Sequence, residues 1–193
     1  MSTERDRADD LSPVPSVIRS SDRAKQAVFL DRDGVLNARP PEHEYVTSVE
    51  RFAWLPGARE AVVELTAAGW KLAVVSNQRG VARGLVSSGT LAAIEQRIQG
   101  DLAPGAAIDG FYYCPHDDGE GCDCRKPRPG LIARAAAELG VEPGKSWMIG
   151  DSESDVAAGR AAGCSTILIS PETSETAADL VEPDLAAAAR RLC

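Results

Sequence analysis

The segment Ala27–Asn37 places two carboxylates at the end of a short apolar run. Four apolar residues precede Asp31, which is the pattern of a strand buried on both faces. Asp31 and Asp33 are two positions apart, so in an extended chain their side chains point the same way. Two carboxylates held close together repel each other and favour a bound cation or a shared proton. The pair indicates a divalent metal with a nucleophile and an acid, and the alternative is a solvated turn after the strand.

Two later apolar runs also end in polar residues. Ser76 and Asn77 follow one run, and Asp151 follows another. The carboxyl ends of parallel strands share one edge of a sheet, so we expect these side chains to meet Asp31 there. Lys126 lies in the segment between Asn77 and Asp151. Together these residues suit phosphoryl transfer, which needs a carboxylate nucleophile, a metal and cations around the phosphate. Taken singly, each residue has an ordinary interpretation as a turn, a helix cap or a surface charge.

The elements that must position these residues alternate along the chain. Hydrophobic patterning predicts strands at Ala27–Leu30, Lys71–Val75, Ile108–Cys114, Ser146–Ile149 and Ser165–Ile169. It predicts helices at Pro56–Ala68, Leu91–Ile98, Leu131–Leu139, Asp155–Ala162 and Asp184–Leu192. Strands that alternate with helices predict an α/β fold with a doubly wound parallel sheet.

Composition limits the possible classes of protein. The chain has 193 residues, enough for one well-buried domain, and a net charge of −8, which argues against a nucleic-acid binder. Residues 1–24 are polar and are predicted to form a disordered tail, which leaves 25–193 as a single domain. No apolar run is long enough for a membrane span or a signal peptide. We therefore expect a cytoplasmic monomer with no nucleic-acid or membrane partner.

Cysteines cluster in one segment. Cys114, Cys122 and Cys124 lie close to His116, and three thiols with one imidazole make a complete tetrahedral set for a structural Zn²⁺. The alternative is a group of buried, unligated cysteines. Arg125 and Lys126 come directly after the cluster, so a zinc loop would fix the position of both cations.

Four ordered motifs resemble those of haloacid-dehalogenase-type (HAD) phosphatases. They are Phe29-Leu30-Asp31-Arg32-Asp33-Gly34-Val35-Leu36-Asn37, Ser76-Asn77-Gln78, Arg125-Lys126-Pro127 and Gly150-Asp151-Ser152-x-x-Asp155. The resemblance implies a HAD-like Rossmannoid fold in which Asp31 is the nucleophile and forms an aspartyl-phosphate. Asp33 would be the general acid and then the general base, while Ser76 and Lys126 would hold the phosphoryl oxygens. It also implies Mg²⁺ on Asp31, on the main-chain carbonyl of Asp33 and on Asp151, with Asp155 orienting the site.

The Cys/His segment is similar to a HAD subfamily that contains heptose bisphosphate phosphatases and histidinol-phosphate phosphatases. The run from Ser76 to Gly84 resembles the heptose type, which implies hydrolysis of the C7 phosphate of D-glycero-D-manno-heptose 1,7-bisphosphate. Only five residues separate His116 from Cys122, however, which is closer to the histidinol type. The residues implied to bind the phosphorylated sugar are Glu42, His43, Glu44, Tyr45, Asn77, Gln78, Arg79 and Arg125.

The spacing between motifs leaves no room for a separate cap domain beside the predicted strands and helices, so an open site is expected.

Two alternatives stay open. For Arg125, the alternative to recognition of the substrate is a structural ion pair to a nearby acid such as Asp123. A non-catalytic phosphate- or metal-binding module with the same fold is a further alternative, and the presence of both Asp31 and Asp33 argues against it.

Overall fold

A parallel sheet forms the centre of the molecule. The structure is a computed structural model that describes residues 25–41, 43–171 and 175–193. Within these residues the sheet has six strands, in the order β3-β2-β1-β4-β5-β6. Their bounds are β1 Ala27–Leu30, β2 Lys71–Asn77, β3 Gly110–Cys114, β4 Trp147–Gly150, β5 Ser165–Ile169 and β6 Leu180–Glu182. All neighbouring strands are parallel. The predicted tail, 1–24, lies outside the described residues.

Helices cover both faces of this sheet. They are α1 Ala58–Ala67, α2 Ser88–Asp101, α3 Gly130–Leu139, α4 Glu153–Ala162 and α5 Leu185–Leu192. Buried side chains of α1, α2 and α5 pack in one core, and those of α3 and α4 pack in a second core on the other face. The predicted doubly wound α/β architecture is therefore confirmed.

Strand β1 is buried on both of its faces. Val28 and Leu30 belong to the first core, whereas Ala27 and Phe29 belong to the second, and all four are fully buried. Burial of a large apolar side chain contributes about 1.5–3 kcal/mol relative to leaving it exposed. The run before Asp31 therefore anchors the segment that carries Asp31 and Asp33 on both sides of the sheet.

The position of β1 in the sheet creates the crevice for a site. The chain moves from β1 to β2 on one side and later returns to β4 on the other side. In open α/β sheets ligands bind outside the carboxyl ends of the strands where the winding reverses. Here that point lies between β1 and β4, where Asp31 and Asp151 follow their strands.

The structure differs from the predicted elements in a few places. Strand β2 continues to Asn77 because it pairs with β3 up to the register Asn77↔Cys114, so Ser76 and Asn77 lie inside the strand. The three-residue strand β6 was not predicted, since so short a segment shows no periodicity. In the described part of the chain, no cap domain follows β1 or β2, and no helix is long and apolar enough to cross a membrane.

Candidate active site

Lys126 and Asp31 form a buried ion pair at the carboxyl edge of the sheet. The Lys126 Nζ lies 2.9 Å from Asp31 Oδ1 and 2.6 Å from Asp155 Oδ1, and it donates to the Val75 carbonyl at 2.8 Å. Burial lowers the pKa of Lys126, but the charges of Asp31 and Asp155 outweigh this effect and raise it. The site therefore keeps a positive charge beside the predicted nucleophile.

The carboxylate of Asp33 is held by three side chains. Arg32 donates to it through Nε at 3.1 Å and through Nη2 at 2.9 Å. Asn37 Nδ2 donates to Oδ1 at 2.9 Å, and Gln78 Nε2 donates to Oδ2 at 2.9 Å. The group predicted to transfer protons is thus fixed in orientation while it still lines the cleft.

Asp151 reaches the same edge from the end of β4 and packs against Gly34. A Cβ on Gly34 would lie 1.7 Å from Asp151 Oδ2, and the φ of Gly34 is +96°, so only glycine fits there. Burial, followed by the nearby charge of Asp31, raises the pKa of Asp151 to about 7. Arg39 opposes that rise because its Nη2 lies 2.5 Å from Asp151 Oδ1.

Asp155 joins the acidic group from the first turn of α4. Its Oδ2 accepts hydrogen bonds from the Ser152 backbone N–H at 3.1 Å and from the Ser152 hydroxyl at 2.6 Å. Burial raises the pKa of Asp155, and Lys126 opposes this rise. One oxygen from each of Asp31, Asp151 and Asp155 lies within 4.8 Å of the others. Three carboxylates this close suit a hard divalent cation.

The residues at the end of β2 support the site from the other side. The side chain of Asn77 makes two hydrogen bonds to the Lys126 backbone. Its Nδ2 donates to the Lys126 carbonyl at 3.1 Å, and its Oδ1 accepts from the Lys126 N–H at 3.0 Å. Gln78 is buried and donates to Ser76 Oγ at 3.2 Å as well as to Asp33. All three line the cleft, but the polar atoms of Asn77 and Gln78 are engaged in holding Lys126 and Asp33.

These side chains surround a cleft of about 350 Å³. A larger cavity of about 700 Å³ shares Ser152 with it and is also lined by Asp151, but within the described residues its lining contains no lysine or arginine. Phosphate chemistry needs cations around the reacting group, so we assign it to the smaller cleft. The smaller cleft is lined by Asp31, Asp33, Arg39, Pro40, Glu44, Tyr45, Ser76, Asn77, Gln78, Arg79, Arg125, Lys126, Ser152, Ser154 and Asp155.

Two arginines at the mouth of the cleft share one carboxylate. Arg125 Nε donates to Asp118 Oδ1 at 2.8 Å, and Arg79 Nη1 donates to Asp118 Oδ2 at 2.6 Å. Arg125 therefore does pair with a nearby acid, as the structural alternative expected, but that acid is Asp118 rather than Asp123. Arg79 Nε also donates to the Tyr45 hydroxyl at 3.2 Å. Both guanidinium groups are fixed by residues of flanking loops.

The loop before α1 contributes to the cleft unevenly. Glu44 and Tyr45 line it, and Glu44 pairs with Arg51 at 3.1 Å. His43 is exposed, has a positive φ of 68° and is not part of the cleft lining. Glu42, the fourth residue predicted here, lies outside the described residues.

The Cys/His cluster brings four possible metal ligands together, with one ligand atom of each residue within 4.8 Å of the others. Cys114 Sγ lies 3.5 Å from His116 Nδ1 and 3.6 Å from Cys122 Sγ, and Cys124 Sγ lies 3.3 Å from His116 Nδ1. Tetrahedral ligands about 2.3 Å from one Zn²⁺ lie roughly 3.8 Å apart, which these separations approach. Cys164 is not part of this group; it is buried in the second core, where burial raises its pKa to about 12.

Three contributions were not expected from the sequence. Arg32 contacts Asp33, and Arg39 contacts Asp151. Asp118 contacts the two cleft arginines, Arg79 and Arg125. Arg32 had a usable signal, because an arginine between two acids in a buried segment needs a partner. The other two are on loops, where no periodicity indicates which way a side chain points.

The match to a family model defines the class of protein. Residues 123–189, which include Lys126, Asp151 and Asp155, match the HAD-hydrolase-like model. Together with the parallel sheet and the acidic cluster at its carboxyl edge, this match indicates a HAD-like hydrolase.

Relatives narrow the class to one family. The chain is 42% identical over 145 residues to the D-glycero-beta-D-manno-heptose-1,7-bisphosphate 7-phosphatase of Pasteurella multocida, covering 72% of this chain and 77% of that protein. It is 39% identical to the enzyme of the same name from Pseudomonas putida, covering 86% and 98%. The crystal structure of D,D-heptose 1,7-bisphosphate phosphatase from B. bronchiseptica, complexed with magnesium and phosphate, superposes with a TM-score of 0.77 at 35% identity, covering 87% and 97%. The chain belongs to this family of heptose bisphosphate phosphatases.

Proposed function

We propose that the chain removes the C7 phosphate of D-glycero-D-manno-heptose 1,7-bisphosphate in a Mg²⁺-dependent reaction. The observation that carries the proposal is the buried arrangement of Lys126 between Asp31 and Asp155 at the floor of the cleft. This arrangement places a nucleophilic carboxylate and a cation at one point, which phosphoryl transfer requires. The relatives that bear this name support the choice of substrate.

In the first half-reaction a carboxylate oxygen of Asp31 attacks the phosphorus of the C7 phosphate. The bond from phosphorus to the C7 oxygen breaks, and Asp33 gives its proton to that oxygen as the alcohol leaves. Lys126 and Ser76 hold the phosphoryl oxygens, and the positive charge of Lys126 offsets the charge that develops on them. The product of this step is an aspartyl-phosphate on Asp31.

In the second half-reaction a water molecule attacks the phosphorus of the aspartyl-phosphate. Asp33, now ionised, takes one proton from that water, and the bond between phosphorus and the Asp31 oxygen breaks. Inorganic phosphate leaves, while Asp31 returns as a carboxylate and Asp33 as an acid. The three side chains that hold Asp33 serve both half-reactions because they keep its carboxyl group at the same place.

The residues present fit a magnesium ion. Asp31, Asp151 and the main-chain carbonyl of Asp33 would hold it, and Asp155 would orient the group through Lys126 and Ser152. The raised pKa of Asp151, about 7, reflects burial and the charge of Asp31, and a divalent cation would compensate both. When bound, Mg²⁺ neutralises the repulsion between the anionic nucleophile and the anionic phosphate.

A structural zinc ion would complete the Cys/His cluster. Cys114, His116, Cys122 and Cys124 supply four ligands and leave no open position, so the zinc would hold the loop rather than take part in the chemistry. The loop leads directly into Arg125 and Lys126, and its closure would fix both cations.

Arg125 and Arg79 would recognise the part of the substrate beyond the reacting phosphate. A guanidinium group binds phosphate or sugar oxygens with fixed geometry, and both groups stand at the mouth of the cleft. Glu44 and Tyr45 would contact the sugar from the loop before α1. We further propose that 25–193 acts as one catalytic domain, as a monomer in the cytoplasm.

The test is a comparison of kcat/KM for heptose 1,7-bisphosphate, heptose 7-phosphate and histidinol phosphate with Mg²⁺ present. We expect the bisphosphate to be preferred and heptose 1-phosphate to be its product. Preference for histidinol phosphate would replace the proposed substrate, an outcome that the five-residue spacing between His116 and Cys122 makes worth testing. No phosphate release from any of these esters would favour a non-catalytic module.

A further inference from the structure

Arg32 is the largest fully buried side chain of the described residues, and it points at the predicted proton donor. Its guanidinium is 0% exposed and forks onto Asp33, with Nη2 at 2.9 Å from both carboxylate oxygens and Nε at 3.1 Å from Oδ1. A buried guanidinium requires a partner to offset its desolvation. Within the described part of the chain, Asp33 is the acid that forms this ion pair.

The backbone of Arg32 organises the same turn. Its carbonyl accepts hydrogen bonds from the N–H groups of Leu36 at 2.9 Å and Asn37 at 3.1 Å. That turn returns the Asn37 side chain to Asp33 Oδ1. Arg32 therefore fixes Asp33 twice, through its guanidinium and through the turn that presents Asn37.

The two oxygens of Asp33 are not equivalent. Oδ1 accepts from Arg32 Nε, Arg32 Nη2 and Asn37 Nδ2, whereas Oδ2 accepts from Arg32 Nη2 and Gln78 Nε2. Because Oδ1 is the more fully occupied oxygen, Oδ2 is better able to carry a proton. A rigid fork also limits rotation of the carboxyl group, since a guanidinium binds a carboxylate in one plane.

We propose that Arg32 is a positioning residue that holds Asp33 so that Oδ2 delivers its proton to the leaving oxygen. This inference rests on the proposed role of Asp33 as general acid. Arg32 exchanges no proton itself: the proton moves from Asp33 to the departing oxygen while the bond from phosphorus to that oxygen breaks. Loss of the fork would let the carboxyl group rotate and would slow the proton transfers made by Asp33, the first of which is the transfer to the leaving oxygen.

The test measures kcat/KM of Arg32→Met for leaving groups of different basicity. This constant covers the steps up to alcohol release, so it excludes the later use of Asp33 as a base. A basic alkyl leaving group needs the proton, and we expect Arg32→Met to lower kcat/KM for heptose bisphosphate by about 10²-fold, a typical contribution of general acid catalysis. For p-nitrophenyl phosphate, whose phenolate leaves without protonation, we expect less than about a threefold loss.

Two further variants complete the test. Arg32→Lys keeps the positive charge and one contact with Asp33, so its activity on the alkyl ester should be higher than that of Arg32→Met. This variant can also be measured if Arg32→Met folds poorly. Arg97→Met on α2 removes an exposed arginine that is not part of the cleft lining, and it should leave kcat/KM unchanged for both esters. Unfolding curves for all three variants identify any loss that comes from the fold.

The outcomes separate the inference from the proposed function. Asp33→Asn must show the same selective loss on the alkyl ester; if it does not, Asp33 is not the acid and the proposed mechanism fails. If Asp33→Asn shows selectivity while Arg32→Met and Arg32→Lys lose activity equally on both esters, or lose none, Arg32 does not position the proton donor.

Discussion

The Lys126 ammonium lies 2.9 Å from Asp31 Oδ1, and its side chain is only 2% exposed. Removing one partner of a buried ion pair leaves the other charge without compensation, and in this site Asp155 would also lose its contact with Lys126. The relationship therefore connects stability with catalysis, because the same cation that neutralises two buried acids would hold the phosphoryl group.

The first prediction concerns Lys126→Met. Two buried carboxylates without a cation should lower the free energy of unfolding by about 3 kcal/mol, measured by urea denaturation in Mg²⁺-free buffer. The same variant should lose at least about 10²-fold in kcat, since a charged contact to the phosphoryl group is lost. Lys145→Met, which removes an exposed lysine paired with Glu142, is the control and should change neither value. Unchanged stability in Lys126→Met would show that the pair with Asp31 is not formed in solution.

The second prediction concerns recognition of the second phosphate. Arg125→Ala should lower kcat/KM for the bisphosphate, mainly because KM rises. The loss should correspond to roughly 2–3 kcal/mol, the scale of hydrogen bonds to charged groups. A small monophosphate ester should be almost unaffected, because it does not reach beyond the reacting phosphate. An equal loss for both substrates would mean that Arg125 serves the reacting phosphate or the fold.

The contact between Arg125 and Asp118 allows a second variant. Asp118→Asn leaves both arginines in place but removes the carboxylate that fixes them, so KM for the bisphosphate should rise by a smaller factor than in Arg125→Ala. Asp123→Asn, in the same loop and exposed, is the matched control and should leave KM unchanged. A lower KM in Asp118→Asn would indicate that the arginines act by net charge rather than by fixed geometry.

The third prediction concerns zinc. Elemental analysis of protein purified without chelator should find one zinc per chain, and its removal should lower Tm because binding free energy contributes to folding. Restoring Mg²⁺ alone should not recover Tm, which separates the two metals. Cys122→Ser should lose the zinc, whereas Cys193→Ser, at the exposed last residue, should retain it. Metal-free protein with an unchanged Tm would exclude a structural zinc.

The fourth prediction concerns the ion pair between Arg39 and Asp151. Arg39 is more than half exposed, and its cation stands where it competes with Mg²⁺ for Asp151. An exposed pair contributes at most about 1 kcal/mol, so Arg39→Gln should lower the Kd for Mg²⁺ by about two- to fivefold in calorimetric titrations. Arg97→Gln, another exposed arginine in an ion pair, should leave the Kd unchanged. Weaker Mg²⁺ binding in Arg39→Gln would show that Arg39 supports the metal site.

Much of the fold and of the reacting centre could be predicted from the sequence. The apolar run before Asp31 must be buried on both faces, and parallel strands must end at one edge, so Asp31, Lys126 and Asp151 were expected together. The register between β2 and β3 could not be predicted, and it is this pairing that extends β2 to include Ser76 and Asn77. Contacts such as Arg39 with Asp151 join loop residues far apart in sequence, and their spacing carries no signal.

Asn77 and Gln78 illustrate a second limit of the sequence. Both residues line the cleft, but their amide groups hold Lys126 and Asp33. Residue type and order fix which part of the sheet a side chain reaches, whereas its hydrogen-bond partners depend on backbone that comes from other segments.

The most direct measurement of the central claim is the detection of phosphate on Asp31. Asp33→Asn should be mixed with Mg²⁺ and p-nitrophenyl phosphate, whose leaving group needs no proton from Asp33, quenched with acid within milliseconds to seconds, and analysed by peptide mass spectrometry. Because Asp33 is also the proposed base for hydrolysis, this variant should accumulate a phosphorylated peptide that contains Asp31, and Asp31→Asn should give none. Turnover by Asp31→Asn within tenfold of the unmodified chain, or phosphate on another residue, would contradict the account.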